Sequence, residues 1–322
     1  MYLVFDVGGT FIKYAIMTRE GEIVEKDKFP TPNQPGQGVD DFISAIGGIY
    51  DAYCTKMQIE GIAMDLPGQV DVEQGIVYGG GGLPFLDQIP VAELISKRCD
   101  SIRVSLENDG KSAALSEIWL GNAKDCKNAC VLVFGTGIAG GIVIDRKIHH
   151  GQGMVAGEMS YLYENVTMED LSKIHNLEAV MRGEAPQDLP RCLWTMDGSV
   201  TAIRRRIAAE KEMNYHDVRG EDIYQWAEEG DQFVIDTLEH WYLDIAKHCC
   251  NMHVMLAPEI ILLGGGVSAQ PAFIEGVVRY AKLLAKMSDI YDTLRIGLCK
   301  FGNDSNLIGS LYNFLQIYEG AK

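Results

Sequence analysis

The segment Glu107-Asn108-Asp109-Gly110 places a carboxylate after an apolar run, Val104–Leu106, and before a helical pattern carrying Ala113, Ala114, Leu115, Ile118 and Trp119. A side chain mounted where a strand gives way to a helix is held rigidly, and a carboxylate there suits removal of a proton from an attacking hydroxyl. Asp109 is the first candidate base; it also has the chemistry of an N-cap, which competes as an explanation. Two further stretches offer phosphate chemistry. Phe5-Asp6-Val7-Gly8-Gly9-Thr10 and Phe134-Gly135-Thr136-Gly137-Ile138-Ala139-Gly140-Gly141 each set a Gly/Thr cluster between two short apolar runs. Such runs around glycine read as hairpins. Glycine lets the backbone approach a ligand and offers N–H donors, and Thr10 and Thr136 add hydroxyls. Two such turns facing each other across a cleft would grip a polyphosphate from both sides, so the pattern points to an ATP-dependent kinase.

Gly135-Thr136-Gly137-Ile138-Ala139-Gly140 also satisfies G-x-G-x-x-G, with Glu158 near the spacing of a ribose-binding acid. That motif must open a helix, whereas here it opens Gly141–Ile144, which reads as a strand, so a dinucleotide fold is disfavoured. Asp6 reads from its neighbours as a turn-starting Asp bonded to its own backbone. Lys13 alternates along the second strand and is compatible with a solvent-facing side chain. Gly264-Gly265-Gly266 follows a buried run and precedes a helical stretch, Ala272–Leu283, and a plain tight turn explains its spacing equally well. His149-His150 are adjacent and so point to opposite faces; His248 and His253 are poorly spaced for one helical face; Cys249 and His253 sit in a core-like helix.

The elements around these residues are those of an α/β protein. Strands are expected at the amino terminus, near Glu22–Lys28, at Gly61–Leu66 and at Val104–Leu106. A helix begins near Asp40 with Phe42, Ile43, Ile46, Ile49, Tyr50 and Tyr53 on one face. A second half starts at Asn128, repeats the strand–turn–strand opening, and holds a long helix, Phe233 to Leu256, ended by Pro258. Glu259–Leu263 is a buried strand, and a last helix starts near Ser305. The duplicated opening predicts two related lobes around a cleft. With 322 residues and a formal charge of −17, the chain has room for two domains and lacks a phosphate-backbone-binding surface. Arg204-Arg205-Arg206 is the one compact basic run and reads as a solvated helix face. No signal peptide and no membrane-length apolar run is visible, and eight cysteines without a CxxC pair read as reduced residues of a cytoplasmic protein.

In order along the chain, Asp6-Val7-Gly8-Gly9-Thr10, Glu107-Asn108-Asp109, the Gly135–Gly141 cluster, Gly157-Glu158 and Leu263-Gly264-Gly265-Gly266-Val267 resemble the ROK family of sugar kinases, and the likeness extends through Gly302-Asn303-Asp304. The resemblance implies an α/β fold of two actin-like (ribonuclease H-like) lobes, each a mixed sheet with flanking helices, around an ATP/sugar cleft. Residues 1–118 with 304–322 would form the small lobe and 119–303 the large one. It further implies Asp109 as the catalytic base and a sugar site of Gly68, Gly82, Asn108, Asp109, Glu158 and Tyr161. ATP would be bound by Asp6, Gly8, Gly9, Thr10, Lys13, Gly135, Thr136, Gly137 and, beside adenosine, Gly264, Gly265 and Gly266. Asp6 would face Mg²⁺ through water. A homodimer acting on a small-molecule sugar is expected, with no nucleic-acid or membrane partner; family repressors carry a helix-turn-helix ahead of the Asp-Gly-Gly-Thr segment, which here begins five residues from Met1.

The departures from that family are informative. Many members bind zinc through a His three residues after the Glu and a CxCGxxGC segment. Here Glu158 is followed by Met159-Ser160-Tyr161, and Leu162 to Leu189 contains no cysteine, so the four ligands of a structural zinc are lacking and no zinc is expected. Gly82, in the run Gly79-Gly80-Gly81-Gly82, stands where an Asn usually contacts the sugar; a lid, a pocket wall and a mobile loop are all open readings. Together with Tyr161 this is similar to the β-glucoside kinase subgroup, and a glycoside phosphorylated on its primary hydroxyl is expected, with glucose or N-acetylmannosamine as alternatives. A non-catalytic sugar sensor is the rival of another class. Lys111, where Asn is commoner, has no explanation in the sequence.

Overall fold

The computed structural model describes residues 1–79, 81–181 and 189–321, so Gly80 of the four-glycine run and residues 182–188 lie outside the described residues. The chain opens with β1 (Tyr2–Val7), β2 (Phe11–Met17) and β3 (Ile23–Pro30), then α1 (Val39–Cys54), β4 (Gly61–Leu66), a small ribbon of β5 (Gln69–Asp71) and β6 (Ile76–Tyr78), α2 (Val91–Arg98), β7 (Val104–Asn108) and α3 (Asp109–Trp119). The second half begins with β8 (Ala129–Phe134), β9 (Ile138–Ile144) and β10 (Lys147–Ile148) and continues with α4 (Leu177–Met181), α5 (Trp194–Gly198), α6 (Val200–Glu210), α7 (Gly220–Glu228) and α8 (Gln232–Leu256). It closes with β11 (Ile260–Gly264), α9 (Pro271–Ala285), β12 (Ile296–Leu298) and α10 (Ser305–Glu319).

Two sheets result, ordered β3-β2-β1-β4-β7 and β10-β9-β8-β11-β12. In each, three antiparallel strands are extended by two parallel ones. The central parallel strands β4 and β11 are buried on both faces, which is why they read as nearly continuous apolar runs rather than alternating ones. One face of the first sheet packs Leu3, Phe5 and Ile62 against Phe42 and Ile46 of α1. Its other face packs Val4 and Ala63 against Leu311 and Phe314 of α10. The second sheet covers Leu132 and Phe134 with Ile245 of α8 and Phe273 of α9, and its opposite face packs Val131 and Leu262 with Ile118 of α3 and Tyr312 of α10. Helices α3 and α10 thus lie between the sheets, stacked through Trp119 and Tyr312 with ring centroids 5.0 Å apart. They approach closely because Gly309 has no side chain: a Cβ there would fall 1.7 Å from the Ser112 carbonyl oxygen.

The helix periodicity predicts the starts of α1 and α10 to within one residue and both ends of α8 and α9 to within about two, the usual uncertainty of such boundaries. Asp231 caps α8 by accepting from the Val234 N–H at 3.1 Å, and Ala257 ends it in the left-handed region just before Pro258. Two readings are corrected. Gly140 and Gly141 lie inside β9, so the second turn is only Gly135–Gly137. Of the Arg204-Arg205-Arg206 run, Arg205 and Arg206 are exposed as expected, but the Arg204 guanidinium donates to the Val218 and Tyr215 carbonyls at 2.6 and 3.0 Å and ties α6 to the loop before α7. All eight cysteines are free thiols, six of them buried. Among the described residues no helix is long and apolar enough to cross a membrane.

Candidate active site

Strand register builds the floor of the site. Lys13, Asp6, Asp65 and Glu107 are successive partners across β2, β1, β4 and β7, and residues directly opposite in neighbouring strands share a face. Lys13 is partly exposed along its length, while its Nζ lies 2.7 Å from Asp6 Oδ2. Asp65 is fully buried beside Asp6 and is held by Ser310 Oγ at 2.8 Å, while Asn306 Nδ2 reaches both carboxylates at 3.4 and 3.5 Å. Burial, then the Asp6 carboxylate, pushes Asp65 well above the usual carboxylate range. Glu107, equally buried, accepts from the Asn108 N–H at 2.8 Å and pairs with His150 Nε2 at 2.9 Å.

At the end of that row β7 passes directly into α3. The cap is Asn108, whose Oδ1 accepts from the Lys111 N–H at 3.2 Å, and not Asp109, which is the first residue of the helix. Asn108 Nδ2 donates to the Gly68 carbonyl at 3.0 Å, so one N–H and one lone pair of the amide remain for a ligand. Asp109 receives the Gly110 N–H at 2.7 Å. Burial raises its pKa to about 6; the Gly110 N–H pulls it down, Glu158 and Asp6 push it up, and Lys111 lowers it. A carboxylate poised there is ionised at neutral pH yet basic enough to take a proton. Glu158 follows Gly157 at the end of the loop after β10 and pairs with Lys111 Nζ at 2.7 Å. Tyr161, three residues on, is half exposed.

The two glycine turns are braced differently. Gly8 spends its N–H on the Phe11 carbonyl at 3.1 Å. Thr31 Oγ1 donates to the Gly8 carbonyl at 2.6 Å, and Asn33 Nδ2 donates to the Gly82 carbonyl at 3.1 Å, so the loop after β3 ties this turn to the glycine run. In the second turn Gly135 N–H closes onto the Gly137 carbonyl at 2.9 Å, and Ser160 Oγ braces Ile138 from both sides. Beyond this turn opens a cavity of about 360 Å³, lined among others by Thr136, Thr201, Arg204, Tyr224, Gly266 and Gln270. Gly265 brings the third glycine cluster to its rim: φ is +97°, and a Cβ would lie 2.1 Å from the Phe134 carbonyl oxygen. Neither Gly8–Thr10 nor Asp109 lines this cavity, which belongs to the second half alone.

The sequence reading missed Asp65, Asn306, Ser310 and the cavity residues Thr201, Tyr224 and Gln270. Asp65 alone carried a signal, as a lone carboxylate in the apolar strand Gly61–Leu66. Glu164, Asp244 and His248 also converge, but Lys247 Nζ sits 2.8 Å from Asp244 and supplies the cation there itself.

A family model described as ROK matches residues 2–317. A β-glucoside kinase of Klebsiella pneumoniae is 27% identical over 314 residues, spanning 98% of this chain and 96% of that protein. Among solved structures, a ROK family protein from Streptococcus pneumoniae in complex with sucrose superposes with a TM-score of 0.82 at 27% identity, covering 99% of this chain and all of that one. A ROK glucokinase from Streptomyces griseus, in complex with glucose and AMPPNP, has the same fold with a TM-score of 0.74 at 19% identity and 96% and 97% coverage. The paired sheets are therefore the two lobes of an actin-like fold, and the chain belongs to the ROK family of proteins.

Proposed function

We propose that the protein is an ATP-dependent carbohydrate kinase that transfers the γ-phosphoryl group to the primary hydroxyl of a hexose or β-glucoside, with Asp109 as the base. The observation that carries this is Asp109 itself. Asn108 does the capping, so Asp109 is left to chemistry, and its pKa of about 6 matches the task. As the sugar oxygen attacks, its proton passes to the Asp109 carboxylate, and the bond from the γ-phosphorus to the ADP oxygen breaks. Asn108 and Glu158 orient the sugar ring; backbone N–H groups of the Gly8–Thr10 and Gly135–Gly137 turns hold phosphate oxygens; adenosine takes the cavity beside Gly266. The Asp6 carboxylate already carries one cation, the Lys13 ammonium, and stands against the first phosphate turn. Asp6 would hold hydrated Mg²⁺ through water, and the ion would supply positive charge that offsets the phosphates. No zinc is required by this arrangement, and a homodimer is part of the proposal.

For the acceptor, the half-exposed Tyr161 and the side-chain-free Gly82 leave the sugar end open, which favours a glycoside over a free monosaccharide. The similarity to a β-glucoside kinase supports the same choice. ADP release with ATP, Mg²⁺ and a panel of sugars tests the reaction, and absence of turnover on every hexose, aminosugar and glucoside would refute it. Comparing kcat/KM for cellobiose, glucose and N-acetylmannosamine tests the acceptor. A preference for a monosaccharide above about tenfold, ~1.4 kcal/mol, would remove the glycoside assignment and leave the kinase intact.

A further inference from the structure

Lys111 is 1% exposed, which makes it one of the largest fully buried side chains in the molecule. Its Nζ lies 2.7 Å from Glu158 Oε1, and Glu158 is its only side-chain partner among the described residues. The pair joins the first turn of α3 to the loop after β10, forty-seven residues apart in sequence. Burying an ion pair usually brings no net stability over an apolar pair of similar size, so stability is a weak reason for this one. Its placement supplies a better reason. Lys111 is two residues from Asp109 and its N–H is bound by the Asn108 cap, so three consecutive site residues and Lys111 share one rigid helix start. Glu158, by contrast, comes from a loop and is partly exposed. Without a partner its long side chain would sample several rotamers.

Building on the sugar-kinase reading, we propose that Lys111 is the positioning residue for the acceptor sugar: it clamps Glu158 Oε1 and leaves Oε2 fixed to accept hydrogen bonds from adjacent ring hydroxyls. The ligand class is a sugar with a free vicinal diol facing Glu158. An ammonium has three donors, and Glu158 takes one; the remaining N–H groups reinforce the polarity that a diol satisfies and an apolar group does not. The cation also offsets the repulsion between two carboxylates, Asp109 and Glu158, that must face one substrate together.

The test uses Lys111→Met, Lys111→Arg, Glu158→Gln and the Lys111→Met/Glu158→Gln double variant, assayed on a sugar that the wild type phosphorylates. Lys111→Met is expected to raise the sugar KM and the calorimetric sugar Kd roughly 10- to 100-fold, the range of a lost charge-assisted hydrogen bond, with the ATP KM within about twofold of wild type. Lys111→Arg should recover most of the loss. Glu158→Gln should weaken sugar binding strongly in the wild type and less than about threefold in the Lys111→Met background, because the clamp is already gone. An unchanged sugar KM in Lys111→Met, equal losses for sugar and ATP, or additive effects of the two substitutions would each overturn the proposal. If Lys111→Met does not fold, Lys111→Arg and the double variant, which removes both charges, decide the matter by the same sugar-to-ATP contrast. Failure of the wild type to phosphorylate any sugar would instead defeat the kinase reading itself.

Discussion

In the first sheet the residues just before and across from the glycine turn, on three neighbouring strands, are Lys13, Asp6 and Asp65. In the second sheet the residues at the same places of the same strand order are Ala139, Val133 and Gly264. One sheet thus ends in a row of charge and the other in small or apolar side chains. On the proposed function, the first end would serve cation, phosphate and proton acceptor, and the cavity at the second would take the nucleotide base. On that proposal, two sheet ends of one topology serve chemistry and nucleotide binding separately, and they differ at these three positions.

The largest expected break in this asymmetry is at the charged end. Asp109→Asn keeps the shape and removes the base, so kcat should fall roughly 10²- to 10⁴-fold in a steady-state assay. Wild-type kcat should rise with pH through about 6, because only the ionised carboxylate accepts the proton. A variant retaining near-native kcat would remove Asp109 from the mechanism.

At the apolar end the expected break is structural. Gly265→Ala forces a side chain into φ +97° and against the Phe134 carbonyl, and should lower stability by roughly 1–3 kcal/mol and raise the ATP KM. Gly9→Ala on the charged side is the contrast: the nearest atom to its Cβ would be 3.9 Å away, so Tm should barely move while phosphate binding suffers. Equal melting temperatures for the two variants would contradict the division drawn above.

A smaller effect sharpens the electrostatic half. The folded pKa of Asp109, about 6, lies above its ordinary 3.8, so the fold binds that proton more tightly than the unfolded chain does. Stability from this group is present below pH ~4 and is lost as pH rises through 6, by up to ~3 kcal/mol. Asp109→Asn should therefore melt above the wild type at pH 8 and level with it near pH 4. The smallest expected effect is none: EDTA should leave Tm unchanged, and elemental analysis should find no stoichiometric zinc.

Much of this was legible from local pattern. Two glycine turns, the strand-to-helix junction at Asp109 and the long helix ending before Pro258 each follow from neighbouring residues alone. The sequence pattern stops β7 two residues short because Glu107 and Asn108 are polar; each has one local partner and one forty or more residues away, His150 for Glu107 and the Gly68 carbonyl for Asn108, so polarity did not end the strand. Arg204 looked solvated because its carbonyl partners sit in a loop whose path no periodicity reveals. Asp65 and Lys111 were opaque for one physical reason: a buried charge is explained only by its partner, and these partners lie far along the chain.

Helix α10 carries a consequence for the order of assembly. Asn306 and Ser310 meet Asp65 across 241 and 245 residues of sequence, and Asn306 meets Asp6 across 300. Contacts of such separation close late, since the entropy of a long loop is spent before they return anything. As the chain emerges from the ribosome, both sheets can pair and bury their outer faces while the carboxylate floor still lacks its braces. Competence for catalysis is in this sense the last property the nascent chain acquires.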